Sequence, residues 1–433
     1  MRILSLTPGT GGTFYCQNCL RDGQMVRALR KQGHDIVVVP LYLPILLDSE
    51  GLNTGTVFFG GVNVFLQQKA GFFRNTPRWL DKIFDSAWML RKAASREGST
   101  RAADLGPMTH SMLQGKDGLQ RKELERLVEW LKGEPRPDIV HLSNALLLGV
   151  AGEIKAALGV PIVCSLQDED TFIDAMNSPW RERCWNLIAE RAKDVDAFVA
   201  VSDWYAGKIA GKVSIPREKI RTVHLGIEWD DVEPAALDFD PPVLGYLSRI
   251  NHSQGFTALV DAFLELKRDE RFRNLRLRAT GGVTSGDQAY IKQVLAKIAA
   301  AGYSKDVELV EEFGKVARQY FLRSVSVLSA PAADGEAFGL FIVEANACGV
   351  PVVQPDAGAF REVLEATGGG VVYDQKKPGA LVEALRTMLL DPARARELGL
   401  AGRKVVMERF TSRAMAEKME AVFRDFAPTA DVA

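Results

Sequence analysis

The 433-residue chain is short of cysteine, of net charge and of long apolar runs. Its five cysteines (Cys16, Cys19, Cys164, Cys184, Cys348) are an odd number spread over a long chain. That argues against a disulfide framework and for a reducing compartment. No stretch of about 18 uncharged apolar residues is present, so no helix is expected to span a membrane. The N-terminal MRILSLTPGTGG is an apolar strand that Pro8 and Gly9 interrupt, without the apolar core of a secretory leader. A cytoplasmic location is therefore the expectation. The formal net charge of −1 and pI near 6.6 leave no global field to recruit nucleic acid. No sequence repeat is apparent. What the chain does have is 47% hydrophobic residues and enough length for two or three full cores.

Strand-like apolar runs alternate with amphipathic helical ones, which is the pattern of parallel βαβ units. In the first half the strands are read at 3–6, 35–40, 138–142, 160–166 and 197–201. A helix is read at 20–32, with Gly33 and His34 as its stop. The segment 45–132 interrupts the alternation and reads as loops and amphipathic helices. After Pro234 a Pro- and Asp-rich stretch, 233–242, marks a domain edge. Alternation then restarts, with strands at 243–250, 275–280, 307–310, 325–328, 350–354 and 371–373. The fold class is α/β, with two Rossmann-like halves. The expected domains are 1–230 and 231–408, with a C-terminal helical segment, 409–433.

The most informative stretch is 329–364, SAPAADGEAFGLFIVEANACGVPVVQPDAGAFREVL. Glu336 lies in a loop and Glu344 in an apolar, helix-forming run, with seven residues between them. A loop that delivers a helix N-terminus presents free N–H groups and suits an anionic ligand. Two glutamates so spaced can face the same ligand. Glu344 is hard to place as a surface residue, because a carboxylate in an apolar helix needs buried partners.

EAFGLFIVEANACGVPVV resembles the E-x7-E signature of retaining glycosyltransferases of the two-domain GT-B type, family 4. The resemblance extends over most of the chain and is weakest at 45–132. It implies two Rossmann-like domains facing across a cleft, with the last helix returning to the first domain. It also implies transfer of a hexose from a UDP- or GDP-sugar to an acceptor hydroxyl with retention, without metal or other cofactor. By position, Glu336 would lie at the transferred sugar, and Phe338, Gly339 and Leu340 would offer backbone N–H groups. Glu344 would take the ribose hydroxyls, and Glu362 matches the glutamate of a Gly-Gly-x-x-Glu turn. Gly245 to Gly255 resembles the family's diphosphate loop, with Arg249 in the arginine position. Ser248 replaces a glycine there and Gln254 replaces a lysine. Losing one charge-assisted hydrogen bond costs about 1.5–3 kcal/mol, or roughly 10- to 150-fold in rate. The alternative for Arg249 is a solvated arginine at a strand end.

The Gly-rich loop 8–13 follows the first strand, and Gly11 and Gly12 match the family's donor- and acceptor-contacting Gly pair. His141 is present after a strand, but Ser143, followed by Asn144, replaces a second usual histidine. Gln167-Asp168 replaces a usual His-Asp. Asp168, Glu169 and Asp170 either orient acceptor hydroxyls or cap the following helix. Asp168-x-Asp170 also matches a short metal-binding pattern of a different transferase fold. Cys16-x-x-Cys19 is read first as a pair of reduced thiols, with redox, acceptor-contact and metal roles as alternatives. Segment 68–101 has eight Lys or Arg against three Asp or Glu, with five interleaved aromatics. It suits either peripheral contact with an anionic membrane, on its inner face, or a solvated face over packed aromatics.

The acceptor is read as a small molecule, lipid or glycan. A faint likeness at 57–65 to glycogen and starch synthases leaves a glucan transferase open. A non-catalytic sugar-nucleotide-binding module is the rival class, supported by Gln254, Ser143 and Gln167. A pyridoxal-phosphate phosphorylase lacks a candidate lysine in the C-terminal motifs.

Overall fold

The computed structural model describes residues 1–8, 14–42, 102–229 and 231–427. It divides into two compact units, the first of residues 1–12, 18–224 and 415–433, the second of residues 13–17 and 225–414.

The first unit holds a six-stranded sheet in the order β2-β1-β3-β4-β5-β6. Its strands are β1 (Arg2–Thr7), β2 (Asp35–Pro40), β3 (Ile139–Leu142), β4 (Ile162–Leu166), β5 (Ala197–Ala200) and β6 (Ile220–Thr222). Every pairing is parallel. β3, β4 and β5 are buried at every residue. Unbroken apolar runs are what a parallel sheet needs when helices cover both faces. The helices are α1 (Gln17–Lys31), α2 (Ala102–Leu113), α3 (Arg121–Gly133), α4 (Ala151–Leu158), α5 (Glu169–Asp174), α6 (Trp180–Arg191) and α7 (Asp203–Val213). Segment 68–101, the 57–65 stretch, Gly11 and Gly12 lie outside the described residues.

The second unit holds β7 (Val243–Leu247), β8 (Arg276–Thr280), β9 (Val307–Val310), β10 (Val327–Leu328), β11 (Val352–Pro355) and β12 (Gly370–Tyr373). They form a parallel sheet in the order β12-β11-β10-β7-β8-β9. That is the doubly wound order, with its switch point between β7 and β10, where the strand C-termini open a crevice. The helices are α8 (Phe256–Leu266), α9 (Gln288–Ala300), α10 (Lys315–Arg323), α11 (Leu340–Ala347), α12 (Phe360–Thr367), α13 (Ala380–Leu390) and α14 (Pro392–Arg409). All eight residues of α11 are buried, so it has no amphipathic face and Glu344 sits wholly inside the protein. A final helix, α15 (Ser412–Phe426), follows, and residues from Met415 onward belong to the first unit. There Phe423 packs edge-on against His141, with ring centroids 5.9 Å apart.

Candidate functional site

The two loops at the switch point of the second unit carry Arg249 and Glu336. After β7 the chain turns through 248–255, and the buried Tyr246 Oη braces this turn at 2.9 Å from Arg249 O and 3.2 Å from Gln254 O. Gly255 ends it with φ +80°, and a Cβ there would lie 2.2 Å from Pro331 O. Only glycine allows the two loops this close. Arg249 is clamped rather than solvated. Its Nε donates to Asp287 Oδ2 at 2.9 Å and its Nη2 to Thr284 Oγ1 at 2.9 Å. Its side chain keeps 30% exposure. Ser248 and Gln254, the two departures from the family pattern, contact one another through Ser248 Oγ and Gln254 Oε1 at 3.4 Å.

After β10 the loop reaches Glu336, which is 6% exposed. Gly335, at φ +69°, permits the approach to the 357–359 turn, where a Cβ would meet Gly358 N at 2.3 Å. Ala359 N–H donates to Glu336 O at 2.9 Å, which fixes the backbone beneath the carboxylate. Gly339 is the N-cap of α11 and Leu340 its first residue. Phe338 is buried, with its ring 6.4 Å from that of Phe410. Glu362 is half-buried in the first turn of α12.

Glu344 is fully buried and finds the partners its burial demands. Arg318 Nε, itself fully buried on α10, donates to Glu344 Oε1 at 3.1 Å, and Tyr15 Oη donates to Oε2 at 2.9 Å. Burial, then the Glu344 charge, pushes the Tyr15 hydroxyl well above its usual pKa, so it stays a donor. The Arg318 guanidinium also sits 5.6 Å from the Tyr15 ring centroid and 5.9 Å from that of Trp229. Gln17 completes the cluster. Its amide donates to Glu336 Oε2 and its Oε1 accepts from Leu340 N–H at 2.5 Å. Tyr15, Gln17 and Arg318 were not singled out in the sequence. Tyr15 and Gln17 lie more than 300 residues from their partners, and Arg318 sits in an ordinary amphipathic helix with no local signal.

Cys16 and Cys19 are disulfide-bonded, whereas Cys164, Cys184 and Cys348 are free and buried. The expectation of reduced thiols at this pair is corrected. The pair brackets the start of α1, and three residues' spacing on one helical turn brings two sulfurs within bonding reach.

In the first unit the candidate acceptor-side residues follow strand C-termini. Ser143 and Asn144 follow β3, and Asn144 caps the next turn by accepting from Leu146 N–H at 3.1 Å. Asp168 follows β4 in the left-handed region (φ 59°) and makes no side-chain cap to α5. Glu169 does the local bracing instead. Its carboxyl accepts from Ala145 N–H at 2.9 Å, Gln167 N–H at 2.8 Å and Tyr205 Oη at 2.8 Å. Burial raises its pKa to about 7. Asp170 is paired with Lys208 at 2.5 Å and with Tyr205. Among the described residues no three His, Cys, Asp or Glu side chains converge as a metal set.

His141 is fully buried and spans the sheet, with Nδ1 3.0 Å from Ser5 Oγ and Nε2 2.9 Å from Ser165 Oγ. Burial and the nearby Arg21 charge hold it well below its usual pKa, so it is neutral. Arg21 contacts both positions where imidazoles were expected. This buried arginine donates to Gln167 Oε1 at 3.1 Å, Ser165 Oγ at 2.8 Å and Ser143 O at 2.9 Å. A guanidinium there favours acceptors such as Gln167 over a second cation-forming ring. Arg21 was not legible in the sequence, because it sits among polar residues of an ordinary helix.

Residues 228–405 match the family described as glycosyl transferases group 1, and residues 106–230 match glycosyltransferase family 4. D-inositol 3-phosphate glycosyltransferase of Jonesia denitrificans is 25% identical over 85% of this chain and 92% of its own. Among solved structures, sucrose-phosphate synthase of Thermosynechococcus elongatus superposes with TM-score 0.70 at 17% identity, over 98% of this chain and 99% of that one. HepE of Anabaena, solved in complex with UDP-glucose, superposes with TM-score 0.70 at 15% identity, over 98% and 100%. The matched segments and the architecture together define a glycosyltransferase of the GT-B fold.

Proposed function

We propose that the protein is a retaining hexosyltransferase that moves a sugar from a nucleotide diphosphate sugar to an acceptor hydroxyl, with its donor held in the second unit. The observation that carries the reading is the convergence of Arg249, Glu336 and the α11 N-terminus on the switch-point loops, with Glu344 one turn deeper. Arg249 would hold the diphosphate and stabilise the charge that grows on it as the sugar–phosphate bond breaks. Leu340, Gly339 and Phe338 would add backbone N–H groups. Glu336 would bind the transferred sugar and Glu344 the ribose. Retention follows if the leaving diphosphate takes the acceptor proton on the face it leaves from. No metal is assigned to this chemistry. UDP-glucose is the first donor to test, since the Anabaena relative of the same fold was solved with it.

The acceptor is assigned to the strand C-termini of the first unit, near Ser143, Asn144, Asp168 and Glu169. Peripheral contact with anionic lipid through 68–101 is part of the same proposal. Vesicle co-sedimentation that needs anionic lipid, and fails on neutralising those basic residues, would support it.

The competing reading is a binding module without turnover, favoured by Gln254 in the lysine position and by the clamping of Arg249 to Asp287. Thermal-shift assays with UDP- and GDP-sugars, followed by assay of released nucleotide, separate the two. Donor-specific stabilisation with release, both lost in Glu344→Ala, supports the transferase. Stabilisation without release on any acceptor supports the module. No stabilisation by any sugar nucleotide, with reductant present, removes both.

A further inference from the structure

The geometry points to a redox-locked internal occupant of the donor site: residues 14–17 fill places assigned to the donor and the Cys16–Cys19 disulfide holds them there, so that reduction of that bond strengthens donor binding. This rests on the donor site proposed above. Four of the groups assigned to the donor, Arg249, Glu336, Leu340 and Glu344, are contacted by this segment. Phe14 lies under the Arg249 guanidinium, 5.1 Å from its ring centroid. Tyr15 Oη occupies Glu344 Oε2 as a ribose hydroxyl would. The Gln17 amide sits on Glu336, and its carbonyl takes the Leu340 N–H.

Valence and access make this occupancy exclusive. Leu340 N–H has one proton, and Gln17 accepts it. Glu344 is 0% exposed, so no ribose reaches it while Tyr15 stays. The segment is pinned further by Tyr15 N–H donating to Gly281 O at 2.7 Å and by the antiparallel bridge of Phe14 with Gly282. Cys16 stands between the two occupying side chains, and its bond to Cys19 removes conformations in which the segment swings out. Both cysteines are half-buried, within reach of a small dithiol. Reduction would proceed by thiol–disulfide exchange. The dithiol loses two electrons and becomes a disulfide, the Cys16–Cys19 bond breaks, and the dithiol's two protons end on the two freed thiols.

If the segment leaves the site in one molecule in ten or fewer while locked, apparent donor affinity falls by about tenfold or more. The test is titration calorimetry of the full chain with UDP-glucose and GDP-mannose, as purified under air and after dithiothreitol. The Cys16→Ser/Cys19→Ser variant is titrated without reductant, with circular dichroism to check its fold; the reduced native chain supplies the same comparison if that variant does not fold. The expected result is binding about tenfold tighter in the reduced and serine forms than in the oxidised chain. Equal affinity in oxidised and reduced forms, with binding lost in Glu344→Gln, keeps the donor site and overturns the lock. Absence of binding in every form overturns the donor site and the lock together.

Discussion

At the scale of single residues, the site is built from charges that other charges hold in place. Glu344 is fully buried with Arg318 and Tyr15 meeting its two oxygens. Removing one member of such a pair strands a charge in a medium that solvates it poorly, at about 3–5 kcal/mol. Arg318→Met is therefore expected to lose about that much stability in urea unfolding. Adding Glu344→Gln to it should recover part of the loss. A loss below about 1 kcal/mol in the single variant would mean the pair does not carry this burial. Glu336 and Glu344 were legible in the sequence because an acid in an apolar helix and another eight residues before it stand out against their neighbours. Arg21, Arg318, Tyr15 and Gln17 were not, since a lone arginine or glutamine in a polar context carries no mark of what it will meet.

At the scale of elements, strand ends are held by short turns whose backbone leaves no room. Gly255 joins β7 to α8 with positive φ and a clash waiting at Pro331 O. Gly255→Ala is expected to cost about 1–3 kcal/mol and to weaken donor binding, because the turn that presents Arg249 must shift. Thermal unfolding alongside donor titration checks this, and an unchanged midpoint would count against it. Glu169 links the ends of β3 and β4 to Tyr205 on α7. Its ordinary pKa of 4.5 is raised by burial to about 7, so the folded protein binds more protons than the unfolded chain between those values. Stability from this group is complete below about pH 4.5 and is lost as pH rises through about 7, by about 3 kcal/mol in all. Unfolding midpoints across that window should show the decline, and Glu169→Gln should flatten it. The element pattern itself was legible: alternating apolar runs and amphipathic helices anticipated parallel strands. The disulfide at the start of α1 was not, because an odd cysteine count argued against pairing while the spacing of two of them permitted it.

At the scale of the whole molecule, two parallel six-stranded sheets form two units, and the donor is assigned to one of them. A ligand that binds one unit stabilises that unit by mass action, about 2.7 kcal/mol at a hundredfold excess over Kd. Hydrogen exchange with reductant and UDP-glucose present should therefore slow chiefly within 225–414, around Arg249 and 336–344. Protection confined to the first unit would move the donor out of the site proposed here. The sequence by itself determined the fold class, the restart of alternation after Pro234 and the two glutamates, because periodicity and motif spacing are local properties of the chain. Tertiary structure alone decided that Arg318 neutralises Glu344, that Arg21 contacts the two positions where imidazoles were expected, that His141 is sealed in the sheet, and that Tyr15 and Gln17 lie on Glu344 and Glu336. Those partners are joined by side-chain contacts across tens to hundreds of residues, and only the folded backbone brings them within hydrogen-bonding distance.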